Sequence, residues 1–233
     1  MASNLPIVLV PGLLCSARLY TPQIEALWPL GMVSVADHLR DDSMVAIAER
    51  ILANAPPRFA LAGLSMGGYI AFAMLRLAPE RIARLALLDT SSRADTAEQT
   101  AGRKKFIAMA QAGKLDDVVA TLAPRFIHRN RAGDEALKRI IRAMAADTGA
   151  DAFIRQQKAI MTRPDSRPML ASIRCPTLVI VGEADELTPP DLAKEICAGI
   201  SGARFMVVPD SGHLCTIERP DAVNAALAEW LSG

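Results

Sequence analysis

The fold this sequence predicts is a doubly wound, mostly parallel α/β sheet of about six strands with an inserted helical segment, and three observations predict it. Short, uninterrupted, β-branched apolar runs recur with amphipathic helical patterns between them, as expected of strands buried on both faces and joined by right-handed crossovers. That alternation stops once, over roughly 80 residues that carry helical patterns alone, far longer than an ordinary connection of about 2–6 residues. At 233 residues the chain is long enough for one well-buried domain carrying such an insertion.

The elements follow in order. Leu5-Pro6-Ile7-Val8-Leu9-Val10 reads as the first strand, ended by Pro11-Gly12-Leu13-Leu14. A helical stretch over residues 21–28 leads to a second strand at residues 32–36. Ser43 is placed to cap an amphipathic helix over residues 44–55, which Pro56-Pro57 stops. Arg58-Phe59-Ala60-Leu61-Ala62 is the third strand; it runs through Gly63-Leu64-Ser65-Met66-Gly67-Gly68 into a helical run over residues 69–78, closed by Pro79. Arg84-Leu85-Ala86-Leu87-Leu88-Asp89 is the fourth. Helical patterns then cover residues 97–112, 115–122, 134–146 and 150–161. Strands resume at Pro176-Thr177-Leu178-Val179-Ile180-Val181-Gly182 and residues 204–208, with a helix over residues 190–198 between them. Asp221 is placed to cap a final helix reaching residue 230. The expected division is a sheet core of residues 1–90 and 173–233 and a helical cap of residues 91–172.

A net charge of +1 gives no global bias toward nucleic acid or an anionic membrane, so function is expected in a localised site. The charge is nevertheless uneven. The cap carries fifteen Lys and Arg against nine Asp and Glu, and the remainder eleven against sixteen. A basic cap on an acidic body suggests an anionic substrate; the plainer account is a solvated helical face. Met1-Ala2-Ser3-Asn4 leads straight into an apolar strand without the pattern of a signal peptide, and no run approaches the roughly 18 apolar residues of a membrane span, so a cytoplasmic protein is expected. Cys15, Cys175, Cys197 and Cys215 lack metal-type spacing and are expected as thiols, with a Cys15–Cys215 disulfide left open.

Gly63-Leu64-Ser65-Met66-Gly67-Gly68 carries the chemistry. A serine on a sharp strand-to-helix turn adopts a strained backbone, and the residues two before and two after it crowd the neighbouring strand and helix. Gly63 and Gly67 relieve that crowding, and the turn presents the Ser65 hydroxyl at a helix N-terminus, where negative charge is stabilised. The pattern is short enough to arise by accident, so it needs a base, an acid and an oxyanion loop elsewhere. His213, in Pro209-Asp210-Ser211-Gly212-His213, follows the last strand on the same sheet edge. His38 lies in the charged loop 37–42 and is expected to be solvated; His128 belongs to the cap. Two acids stand at carboxyl ends of strands: Asp185, in Glu183-Ala184-Asp185-Glu186, and Asp89. The backbone N–H groups of Met66 and Leu13 are the expected oxyanion donors, with Gly12 permitting close approach.

The set Val10-Pro11-Gly12-Leu13-Leu14, Gly63-Leu64-Ser65-Met66-Gly67-Gly68, Gly182-Glu183-Ala184-Asp185 with Thr188-Pro189, and Ser211-Gly212-His213 resembles the α/β-hydrolase superfamily over nearly the whole chain. The resemblance implies the chain order Ser65, Asp185, His213 for a catalytic triad, which favours Asp185 over Asp89 as the acid. It further implies two-step acyl transfer on a small ester or lactone, with no cofactor and no metal. Two departures stand out: the family's His-Gly oxyanion dipeptide is Pro11-Gly12 here, and the first two strands of its sheet are lacking. The substrates suggested are a carboxylate-bearing ester or lactone, as for enol-lactonases, or an ester on an acidic carrier protein, as for pimeloyl-carrier methyl ester esterases. Leu13, Leu14, Met66, Phe106, Met109 and Phe126 are candidates for an apolar acyl pocket, with core packing the alternative for each. The same fold also hosts cofactor-independent lyases, carbon–carbon bond hydrolases and ligand receptors.

Overall fold

The computed structural model describes residues 5–233, so the reading of Met1–Asn4 lies outside the described residues. Six strands form one parallel sheet: β1 (Ile7–Val10), β2 (Val33–Val35), β3 (Phe59–Leu64), β4 (Ile82–Leu88), β5 (Thr177–Gly182) and β6 (Arg204–Val208). Their spatial order is β2-β1-β3-β4-β5-β6. The chain steps from β1 outward to β2 and then back across to β3, so the order reverses between β1 and β3. In open parallel sheets ligands bind beyond the carboxyl ends of strands at such a switch point. Here the loop after β1 and the turn after β3 both open onto it.

Every residue of β1, β3 and β5 is buried, because helices cover both faces, whereas the edge strands β2 and β6 are partly exposed. Alternate side chains feed two cores. Val8, Val10, Leu61, Leu87 and Val179 point to the face covered by α2 (Met44–Asn54), α3 (Met66–Leu77) and α7 (Pro190–Gly199). Ile7, Leu9, Ala62, Leu88 and Ile180 point to the other, covered by α1 (Thr21–Leu27), the short α8 (Cys215–Glu218) and α9 (Pro220–Ser232). Ser43 caps α2 as expected, its hydroxyl accepting the Ala46 N–H. Asp221 does not cap α9. The helix begins one residue earlier, at Pro220, whose fixed φ and missing N–H suit a first helical position, and Asp221 falls in its first turn.

Between β4 and β5 the chain is helical: α4 (Ala97–Gln111), α5 (Leu115–Leu122) and α6 (Glu135–Met161). The two helices expected at residues 134–146 and 150–161 are the two segments of α6, separated by a kink at Gly149 with φ 71° and ψ 168°. Val118, Leu122, Phe126, Ile141, Met144 and Phe153 of this segment join the same apolar cluster as Ile7, Leu9 and Leu64 of the sheet. That shared core holds the helices over the carboxyl edge, where they form one wall of the site.

Candidate active site

Ser65 sits between the end of β3 and the first residue of α3, with φ 55° and ψ −112°. A non-glycine residue in that region costs about 1–3 kcal/mol and persists only when its surroundings enforce it. They do so here: Ser65 N–H donates to the Leu88 carbonyl at 2.9 Å, and the Ser65 carbonyl accepts from Thr90 Oγ1 at 2.7 Å and from Gly68 N–H at 2.9 Å. The flanking glycines are required for room. A Cβ on Gly63 would overlap the Gly67 carbonyl, and one on Gly67 would overlap the Val10 carbonyl at the end of β1. The helix begins at Met66, three residues earlier than the sequence pattern suggests, because the chain turns directly from Ser65 into α3.

His213 and Asp185 meet Ser65 at this edge. His213 Nε2 lies 2.9 Å from Ser65 Oγ, and His213 Nδ1 lies 2.8 Å from Asp185 Oδ2. Both side chains are buried. Asp185 also accepts from Leu187 N–H at 2.8 Å, Thr188 N–H at 2.9 Å and Thr188 Oγ1 at 2.7 Å. Burial acts to raise the Asp185 pKa; the His213 charge, its hydrogen bond and the Thr188 donors outweigh burial and hold the carboxyl below its ordinary range. For His213 burial acts to lower the pKa, and the Asp185 charge and hydrogen bond outweigh it, so the imidazole lies above its ordinary value. The Phe126 ring stacks over the imidazole with centroids 6.3 Å apart.

Asp89 takes a different place. It is buried, and its two oxygens accept from Gly182 N–H at 2.8 Å and Cys215 N–H at 3.2 Å. Asp89 thus ties the strand leading to Asp185 to the segment just after His213. Burial, followed by the neighbouring Asp185 charge, pushes its pKa up to about 8. Glu218 holds the histidine loop from the other side, accepting Gly212 N–H and His128 N–H, each at 2.7 Å. Gly182 and Gly212 are pressed together closely enough that a Cβ on Gly182 would overlap the Gly212 carbonyl.

The loop after β1, expected to supply an oxyanion donor, is built against Ser65. A Cβ on Gly12 would stand 3.3 Å from both Ser65 Cβ and the Leu64 carbonyl. Neither Leu13 N–H nor Met66 N–H donates to another backbone group among the described residues. His38, expected to be solvated, is buried, because α6 lies across its loop. Its Nε2 is 3.0 Å from the Gly12 carbonyl and 3.0 Å from Gln156 Nε2, and Gln156 Oε1 accepts Leu14 N–H at 3.2 Å. The Gly12 carbonyl and the Leu13 N–H belong to one trans peptide and point in opposite directions. An imidazole holding that carbonyl therefore fixes the direction of the Leu13 N–H. Burial lowers the His38 pKa and keeps the ring neutral in this role. Neither His38 nor Gln156 was identifiable as a site residue from sequence; the one signal was a histidine and a glutamine with no local reason to be buried.

A cavity of about 360 Å3 opens onto Ser65 and His213. Of the residues expected for an acyl pocket, Leu13, Phe106 and Phe126 line this cavity, while Leu14, Met66 and Met109 do not and pack into the cores. The wall also carries Arg93, Arg103, Arg125 and Arg163. Cys15 and Cys215 are free, buried thiols; burial pushes the Cys15 pKa up to about 12. His128 is buried away from the cavity, its Nδ1 accepting Asn130 N–H. Among the described residues no group of three or more His, Cys, Asp and Glu is disposed to hold a metal ion, and no helix is long and apolar enough to cross a membrane.

Comparison with known proteins places this geometry. The chain is 28% identical over 210 residues to the Mycobacterium tuberculosis protein BpoC, named as a non-heme bromoperoxidase, covering 87% of this chain and 79% of that protein. It is 26% identical over 227 residues to the pimeloyl-(acyl-carrier protein) methyl ester esterase of Edwardsiella ictaluri, covering 93% of this chain and 88% of that one. A thermophilic esterase from Thermogutta terrifontis, solved with malate bound, superposes with a TM-score of 0.90 at 29% identity, covering 99% of this chain and 90% of that one. The family model of the Alpha/beta hydrolase family matches residues 7–226. The chain therefore belongs to the α/β-hydrolase family.

Proposed function

We propose that this protein is a serine hydrolase that cleaves a small carboxylic ester or lactone through an acyl-enzyme on Ser65. The observation that carries the reading is the continuous array from Asp185 Oδ2 through His213 to Ser65 Oγ, with contacts of 2.8 and 2.9 Å at the mouth of a cavity. With Nδ1–H donating to Asp185, His213 presents an unprotonated Nε2 to the Ser65 hydroxyl. Ser65 Oγ attacks the carbonyl carbon while Nε2 takes its proton. The oxyanion is held by Leu13 and Met66 N–H groups. Collapse breaks the bond to the alcohol oxygen, which takes the proton from Nε2. Water then attacks the acyl-enzyme, His213 receives its proton, and the acid departs as Ser65 Oγ is reprotonated.

The esterase relatives support this chemistry for the fold. Residues 91–172 act as a cap in this reading, supplying Phe106 and Phe126 to the acyl side of the cavity. The test is a panel of p-nitrophenyl esters and lactones with wild type and Ser65→Ala, with mass spectrometry of the quenched enzyme. Turnover by wild type, absent in the variant, and an acyl adduct on Ser65 are expected. If wild type turns over no ester or lactone, the reading fails.

A further inference from the structure

Two of the cavity arginines share a single carboxylate. Arg103 Nε donates to Asp95 Oδ2 at 2.6 Å and Arg163 Nη1 to Asp95 Oδ1 at 2.6 Å. The three side chains are largely enclosed, with 19%, 6% and 1% of Arg103, Arg163 and Asp95 exposed. Arg103 Nη1 donates to Gln157 Oε1 at 2.9 Å, and Arg163 lies over the Tyr69 ring at 4.1 Å. Arg163 Nη2 donates to no acceptor among the described residues. By contrast, Arg93 on the same wall is matched by Glu195 at 2.8 Å. Among the described residues no Asp or Glu lines the cavity. Asp185 stands behind His213, already saturated by its four donors.

Two guanidinium groups against one carboxylate leave one uncompensated positive charge in a site of low solvent access. Such a charge is costly unless an anion completes it. The excess on this enclosed pair is a single charge, which one carboxylate group balances, and the planar guanidinium fork matches its two oxygens; Arg125, which also has no acidic partner among the described residues, is exposed and screened by water. Tyr69, which Arg163 covers, lies one helical turn beyond Ser65. We infer that Arg103 and Arg163 form a carboxylate subsite, so the ligand of this cavity carries a carboxylate. Together with the hydrolase reading, this makes the substrate an ester bearing a free carboxylate; the subsite itself does not depend on that reading.

Isothermal titration calorimetry with glutarate, its neutral analogue glutaramide and inorganic phosphate tests it. Wild type binds glutarate and not glutaramide, and Arg103→Met weakens glutarate binding by about tenfold or more. Asp95→Asn acts in the opposite direction and tightens it, an outcome that a generally damaged fold cannot produce. Equal binding of glutarate and glutaramide, or glutarate binding indifferent to Arg103→Met, overturns the subsite. Phosphate bound as tightly as glutarate overturns its assignment to carboxylates. The two readings separate when the same protein is assayed with the mono-p-nitrophenyl ester of glutaric acid and with p-nitrophenyl pentanoate. Glutarate binding without turnover of either ester supports the subsite and sinks the hydrolase. Turnover of the neutral ester without glutarate binding does the reverse.

Discussion

Asp185→Asn probes the proposed mechanism through one proton. Asp185 Oδ1 accepts two backbone N–H groups, Leu187 at 2.8 Å and Thr188 at 2.9 Å, while Oδ2 faces His213 Nδ1 and Thr188 Oγ1. An asparagine keeps its oxygen on the two backbone donors, so its NH2 occupies the Oδ2 place and donates to Nδ1. The imidazole proton then resides on Nε2, the atom that must accept the serine proton. Rotating the amide restores the tautomer but sets NH2 against two backbone donors. Each lost bond leaves a buried donor unsatisfied at about 1–3 kcal/mol, roughly 2–6 kcal/mol together. At about 1.36 kcal/mol per decade, kcat falls between about 30-fold and about 10^4-fold while KM changes little. Kinetics on p-nitrophenyl acetate measure this, with circular dichroism and thermal melting to verify the fold. A folded variant retaining more than about a fifth of wild-type kcat would refute the tautomer argument. Asp89→Asn is the contrast: its oxygens tie β5 to the segment after His213, so it lowers Tm before it alters the chemistry.

The pH profile follows from His213. The base must be neutral to accept a proton, and its pKa lies above the ordinary histidine value, so kcat/KM falls as pH drops through a midpoint above about 6.5. Asp185→Asn removes the charge and hydrogen bond that raise that pKa and moves the acid limb to lower pH; a limb unmoved by the substitution assigns it to another group. His38→Leu removes one of the two donors to the Gly12 carbonyl, leaving the Cys15 N–H at 3.2 Å, and lowers kcat by about tenfold, less than removal of an oxyanion donor outright, with KM near wild type. His38→Gln, which retains a donor for the Gly12 carbonyl, recovers part of the loss. An equal rise in KM with unchanged kcat would place His38 in substrate binding instead.

Ser65, Asp185 and His213 were legible because each lies on the loop or turn that follows a strand, and strand ends in a parallel sheet are marked by where a buried apolar run stops. The chain order β3, β5, β6 then brings three loops to one edge without any knowledge of side-chain contacts. Asp89 meets the same local criterion and takes a structural place. The chain order implied by the resemblance favours Asp185, and the register of β4 against β5, which sets Asp89 Oδ1 on Gly182 N–H, gives Asp89 its structural place. His38 was misjudged for a related reason. Its neighbours in sequence are charged, but its partners are Gly12 and Gln156, the latter 118 residues away, and α6 supplies the burial. The surplus of basic residues between β4 and β5 was visible as composition. Which of fifteen cations face the cavity depends on how α4 and α6 pack, and no local pattern carries that.

The two features that composition and strand ends could not reveal share one support. Gln156 and Gln157 are consecutive residues of α6, both buried, and their amides serve two different features, the loop after β1 and the arginine pair. Gln156 Oε1 accepts Leu14 N–H, tying the loop that carries Leu13 to α6; Gln157 Oε1 accepts from Arg103 Nη1 beside Asp95. A small displacement of this turn of α6 moves the loop and the arginine pair together, since close-packed interiors transmit strain. Binding energy gained remotely raises kcat only when it is realised in the transition state. A carboxylate that orders Arg103 through the Gln157 turn also steadies the loop that presents Leu13 N–H. For carboxylate-bearing esters the advantage over neutral ones therefore falls on kcat as well as on KM, and it shrinks in His38→Leu. A selectivity confined to KM and untouched by that substitution would show that α6 holds the two features independently.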